Sequence, residues 1–145
     1  NWYAFNDNYG TTLEKEFVGC FKGIVEELQK KYSKVFLVRN ERQLVLYSFD
    51  SGERFEPDFV LFLQKEKGGN MEQLQVFIEP KGEIYFEKDK WKEKFLLEIE
   101  DKADIEKISL LDNTKFKVWG LHFYNPKVPG QDDLFKADMK KVMDN

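Results

Sequence analysis

Asp58, Glu79 and Lys81 are the residues whose types and positions could do chemistry together. Asp58 enters the apolar run Phe59-Val60-Leu61-Phe62-Leu63, and Glu79 and Lys81 leave the run Leu74-Gln75-Val76-Phe77-Ile78. Both runs are short and rich in β-branched and aromatic residues. The polar stretch between them contains Gly68-Gly69-Asn70, so the segment predicts a β-hairpin with a loose loop over 64–73. In an antiparallel hairpin Asp58 and the Glu79/Lys81 pair lie at the same end, and Glu79 and Lys81, two apart, point to one face. Carboxylates brought together this way suit a hard divalent cation such as Mg²⁺, which prefers oxygen ligands and keeps several waters. Such an ion lowers the pKa of a water and neutralises a phosphate oxygen, and a neighbouring lysine adds positive charge where negative charge develops. The constellation calls for phosphodiester hydrolysis. The plainer alternative makes Asp58 a turn residue and Glu79 with Lys81 a same-face ion pair.

Other chemistries find less support. There is no Gly-x-x-x-x-Gly-Lys-Ser/Thr stretch for a nucleotide-driven motor. The one cysteine, Cys20, and the one histidine, His122, both fall in apolar patterns, which leaves no persuasive zinc site or cysteine nucleophile. A lone histidine in a strand is more often packed or hydrogen-bonded than a base.

The elements that must position these residues follow from periodicity. Thr11-Thr12 precede Leu13, Phe17, Phe21, Ile24 and Leu28 at three- and four-residue spacing, which predicts a helix over 12–31 with one buried face. Glu14 shares a stripe with Val18, Phe21 and Val25 at the border of that face, so it can reach a site on the sheet; it also reads simply as a first-turn acid favoured by the helix dipole. Val35-Phe36-Leu37-Val38 and Leu44-Val45-Leu46-Tyr47 read as two strands of another hairpin. After Gly82, Asp89 reads as the cap of a helix carrying Trp91, Phe95, Leu96 and Ile99. Lys88, Lys90, Lys92 and Lys94 gather at its start and offer phosphate contacts, although they also read as a solvated face. The segment 115–124 is a strand that follows a helix, hence parallel to the second hairpin strand. Leu134, Phe135, Met139 and Val142 mark a last helix. The fold class is therefore α/β, a mixed central sheet flanked by helices.

A length of 145 residues suits one domain with a real core. The net charge of -4 argues against gripping nucleic acid by bulk electrostatics. A single cysteine and the lack of a secretory signal point to a reducing, cytoplasmic setting. The chain begins at Asn1, which we read as one domain, 1–145, of a longer polypeptide.

Pro57-Asp58 followed by Glu79-Pro80-Lys81 resembles the signature of the PD-(D/E)XK nuclease superfamily. More closely, Gly10-Thr11-Thr12-Leu13-Glu14-Lys15-Glu16-Phe17, Arg39-Asn40-Glu41, Phe55-Glu56-Pro57-Asp58-Phe59 and Ile78-Glu79-Pro80-Lys81-Gly82 are similar to the C-terminal endonuclease domain of type III restriction enzyme Res subunits. The resemblance implies a restriction-endonuclease-like fold with an αβββαβ core. It implies metal bound by Asp58 and Glu79, with the Pro80 carbonyl as a backbone ligand and Glu14 as a helix-borne acid. Lys81 would be the catalytic lysine, Mg²⁺ the cofactor and Mn²⁺ its substitute. The expected substrate is double-stranded DNA. The expected partners are an upstream helicase/ATPase domain, through which alone ATP would act, and a modification methyltransferase subunit. A non-catalytic DNA-binding or docking module with the same fold is the competing expectation.

Overall fold

The Thr11 side-chain oxygen accepts a hydrogen bond from the Glu14 N–H at 3.2 Å, which caps the first helix, α1 (Thr12–Lys22). The computed structural model describes Trp2, Tyr3, residues 11–102 and residues 114–145. The single helix expected over 12–31 is two. The Gly23 N–H bonds the Cys20 carbonyl at 3.0 Å, and the chain restarts as α2 (Val25–Lys31). Glycine is the weak point of a helix interior. The break keeps Phe17, Phe21, Val25 and Leu28 all buried in one core. Cys20, expected beside the buried face, is exposed.

Among the described residues, six strands follow in two sheets. β1 (Lys34–Arg39), β4 (Phe59–Lys67), β5 (Asn70–Ile78) and β6 (Thr114–Gly120) form a mixed sheet in the order β1-β4-β5-β6. The central hairpin is as the sequence predicts, but longer and tighter. The charged residues at 64–67 and 70–73 continue the strands, and Gly68-Gly69, both at positive φ, make a two-residue turn. The other expected hairpin does not form. β1 pairs antiparallel with β4, while β2 (Leu46–Tyr47) pairs with β3 (Arg54–Phe55) in a sheet of its own. Val35 and Leu37 are buried against the core by joining the central hairpin, which a two-residue partner could not provide. β6 is parallel to β5, reached through α3 (Lys90–Lys102).

Alternation along the strands gives the sheet two covered faces. One packs Leu37, Leu61, Val76 and Ile78 against α1, α2 and α4 (Gln131–Asp144) through Phe17, Phe21, Leu28, Phe135 and Met139. The other packs Val60 and Phe77 against Phe55 and the α3 residues Phe95, Leu96 and Ile99. The result is a mixed α/β fold with a central mixed sheet flanked by helices. Trp2 and Tyr3 pack on the first core, the Leu37 N–H bonding the Trp2 carbonyl at 2.7 Å. Gly10, the first residue of the Gly10–Phe17 stretch quoted above, lies outside the described residues. Among the described residues, no helix is long and apolar enough to cross a membrane.

Candidate functional site

The register that pairs Phe59 with Ile78 places Asp58 next to Glu79 at the open end of the hairpin. The Asp58 N–H donates to Glu79 Oε1 at 2.9 Å, and Glu79 is 4% exposed. Beyond β5 the chain stays attached to the extension of β6. The Tyr124 N–H bonds the Glu79 carbonyl at 3.0 Å, and the Lys81 N–H bonds the Tyr124 carbonyl at 3.1 Å. Pro80 sits between them as an isolated parallel bridge to Tyr124. That bridge uses the groups of residues 79 and 81, so a residue without an N–H is accommodated at 80 and the Pro80 carbonyl stays out of the pairing.

Lys81 is held by two acids. Its Nζ lies 3.4 Å from Glu79 Oε2 and 2.8 Å from Asp89 Oδ2, over the Phe123 ring at 5.4 Å. Asp89 is therefore not the simple helix cap expected of it. Its side chain serves Lys81 and, at 3.4 Å, Lys92, while its carbonyl accepts the Lys92 N–H. Sequence reasoning missed this role. The single 3₁₀ turn Glu83–Tyr85 brings residue 89 back to residue 81, and no strand or helix period links them.

Glu14 reaches the same region from α1. Arg39 Nη2 is 3.0 Å from Glu14 Oε2 but off the hydrogen-bond direction, which leaves that buried oxygen without a hydrogen bond. Arg39 is thus engaged in an ion pair with the helix-borne acid. The basic group after Gly82 divides: Lys92 turns inward to Asp89, whereas Lys88, Lys90 and Lys94 are exposed. His122 is hydrogen-bonded, its Nδ1 2.7 Å from Asp138 Oδ2, which also accepts the His122 N–H.

The electrostatics follow from burial. Loss of water, then the Glu79 and Glu14 charges, push the Asp58 carboxyl up to about 8, against the opposing pull of Lys81. Glu79 is also raised, chiefly by burial, with Lys81 and the Asp58 N–H working the other way. Burial would lower Lys81, but its bonds to Asp89 and Glu79 outweigh it and hold the ammonium above its ordinary range. At neutral pH, then, Asp58 keeps a proton while Lys81 is a fixed cation. Among the described residues, no three His, Cys, Asp or Glu side chains converge as a group that could hold a metal ion. A divalent cation here would rest on the adjacent Asp58 and Glu79. That donor set fits a Mg²⁺-like ion, which is commonly held by one or two carboxylates plus substrate phosphate.

Fold and site together define a small mixed α/β domain that carries a buried glutamate beside a half-buried aspartate and a half-buried lysine. The chain belongs to the HI_1054_C family of C-terminal domains, whose sequence model matches residues 1–140. It is 36% identical over 143 residues to an uncharacterized protein of Haemophilus influenzae, a stretch covering 93% of this chain and 31% of that protein. The chain thus spans about a third of the length of that relative. No solved structure matches it.

Proposed function

We propose that this domain is a metal-dependent endonuclease of the PD-(D/E)XK kind, with a restriction-endonuclease-like fold, that hydrolyses phosphodiester bonds in double-stranded DNA. The observation that carries the reading is the adjacent Asp58–Glu79 pair, the Asp58 N–H bonded to Glu79 Oε1 at 2.9 Å, with the Lys81 ammonium 3.4 Å from Glu79 Oε2. Adjacent acids kept from ionising together favour a divalent cation, which would take the place of the proton.

Asp58 and Glu79 would hold Mg²⁺ or Mn²⁺, with the Pro80 carbonyl as a further ligand and Glu14 as an acid nearby. Bound there, the ion would neutralise phosphate oxygen charge and lower the pKa of a water. Lys81, kept cationic by Asp89, stabilises negative charge developing at the phosphate and does not act as a base. Exposed Lys88, Lys90 and Lys94 offer the approach for the DNA backbone. The net charge of -4 makes delivery of DNA a task for the rest of a longer polypeptide, in this reading a cytoplasmic helicase/ATPase of the type III restriction kind with a methyltransferase subunit.

The test is cleavage of double-stranded DNA by the full-length polypeptide with Mg²⁺ and ATP. Asp58→Ala and Lys81→Ala are expected to lower the rate by about 100-fold or more. Rates equal to wild type for either variant sink the mechanism.

The lack of a three-ligand cluster among the described residues favours a second reading, a non-catalytic DNA-binding or docking module. Titrating the domain with Mn²⁺ separates the two. No binding at millimolar metal, with DNA still held through Lys88, Lys90 and Lys94, decides for the module.

A further inference from the structure

Asn40, at the exit of β1, fills every hydrogen-bonding position of its side chain. Its Oδ1 accepts from the Gln43 N–H at 3.1 Å and the Leu44 N–H at 3.0 Å, while its Nδ2 donates to the Leu44 carbonyl at 2.8 Å and the Pro57 carbonyl at 2.9 Å. The reverse orientation of the amide would set oxygen against two carbonyls, so the partners fix it. Its backbone N–H adds a rung to the β1–β4 ladder, donating to the Asp58 carbonyl at 2.7 Å. Asn40 thus places two donors on the chain immediately around Asp58.

The Pro57 carbonyl belongs to the same planar peptide unit as the Asp58 N–H, and in a trans peptide the two groups point in opposite directions. One end of that plane is held by Asn40; the other donates to Glu79 Oε1 at 2.9 Å. Glu79 Oε2 faces Lys81 at 3.4 Å, so both of its oxygens have a partner. Turning the plane would move the Asp58 side chain and release the Glu79 carboxylate together. Other side chains do not reproduce this hub. Asp lacks the amide donors, and Gln carries its amide one methylene too far. Arg42 adds an independent observation. It is the one non-glycine residue at positive φ, 62°, among the described residues, and the turn that Asn40 Oδ1 closes runs through it. Backbone strain of this kind persists only where the surroundings hold it, and it gathers at functional sites.

We propose that Asn40 is a positioning residue for the Asp58–Glu79 pair, holding the two acids together through the Pro57–Asp58 peptide. The proposal deepens the reading of that pair as a metal site and rests on it for its consequence: Asn40 sets the affinity for the ion without touching it. Residues that orient metal ligands in this way typically change affinity 10–100-fold when replaced.

The experiment uses Asn40→Asp and Asn40→Ser in the 145-residue chain. Both keep an acceptor for the turn and lose the amide that bridges to Pro57; Asp adds negative charge, Ser none. Two quantities are measured: Mn²⁺ affinity from water-proton relaxation, and metal-free hydrogen exchange of the Asp58 amide. Mn²⁺ binding is expected to weaken about tenfold or more in both variants. Charge alone predicts the opposite for Asn40→Asp, since an added carboxylate attracts the cation. The Asp58 amide is expected to exchange about tenfold faster relative to the Leu61 amide of the core, which a general loss of stability would speed equally. Where the aspartate variant does not fold, Asn40→Ser decides alone. Wild-type Mn²⁺ affinity in the folded variants, or an unchanged Asp58-to-Leu61 exchange ratio, overturns the proposal. A wild-type chain that binds no Mn²⁺ at millimolar concentration refutes the metal reading, and a raised exchange ratio then still upholds the positioning by Asn40.

Discussion

Lys81 has two acidic partners, and the nearer is not the one two residues away. Its ammonium is 2.8 Å from Asp89 and 3.4 Å from Glu79, with both acids largely buried. Period-two alternation made the Glu79–Lys81 pairing legible in the sequence, and the hairpin made Asp58 legible beside them. Asp89 was not legible as a partner, because the turn that folds it back carries no pattern. Nor could sequence show that Arg39 occupies one oxygen of Glu14. Asp89→Asn removes one charge of a buried pair and is expected to cost about 3 kcal/mol in urea unfolding. It also relaxes the upward pull on Lys81, so the alkaline limb of the cleavage pH profile should move to lower pH. A profile with its limb unmoved would show that Asp89 stabilises the fold without tuning the lysine.

At the scale of elements, the apolar runs located β1, β2, β4, β5 and β6 but missed the short β3, and did not give all of the partners. β4 and β5 are neighbours in sequence, so their pairing was legible; β1 joins β4 across an intervening loop and small sheet, a non-local choice made by burial of Val35 and Leu37. The break at Gly23 was hidden because the apolar stripe runs through it unbroken. One close approach sets the seat of α3. A Cβ on Gly120 would lie 2.3 Å from the Leu96 carbonyl oxygen, against backbone that has no rotamer to escape into. Gly120→Ala is therefore expected to destabilise the domain by about 3 kcal/mol, read from chemical denaturation. A loss below about 0.5 kcal/mol, the range of an indifferent surface change, would mean that α3 slides freely on β6.

Across the whole molecule, charge is sorted between the two ends of one hairpin. Acids crowd the end with Asp58 and Glu79. At the other end Glu72 is flanked by Lys117 at 2.8 Å and Lys65 at 3.3 Å, and both lysines also bond Asn145. The two ends respond to pH in opposite senses. Asp58 and Glu79 have raised pKa values, so the folded state holds protons that the unfolded chain releases; their contribution is complete at low pH and is lost as pH rises towards about 8. Glu72 and Asp89 resist the upward push of burial and are held low by their lysines, so their contribution is lost as pH falls below the ordinary carboxyl range. Stability should therefore peak near the ordinary carboxyl range, about pH 4 to 5, and decline towards pH 8. Asp58→Asn should flatten that decline in calorimetric melts, and equal slopes in variant and wild type would contradict it. The Gly120 seat has a further consequence. Leu96, which lies over it, is seven residues from Asp89, close to two helical turns. One residue inserted between them would turn Asp89 by about 100° and carry it about 1.5 Å along the axis, out of phase with Lys81. The helix thus works as a dial whose setting is its length, and any chain that keeps both the glycine seat and the lysine–aspartate pair must keep that count.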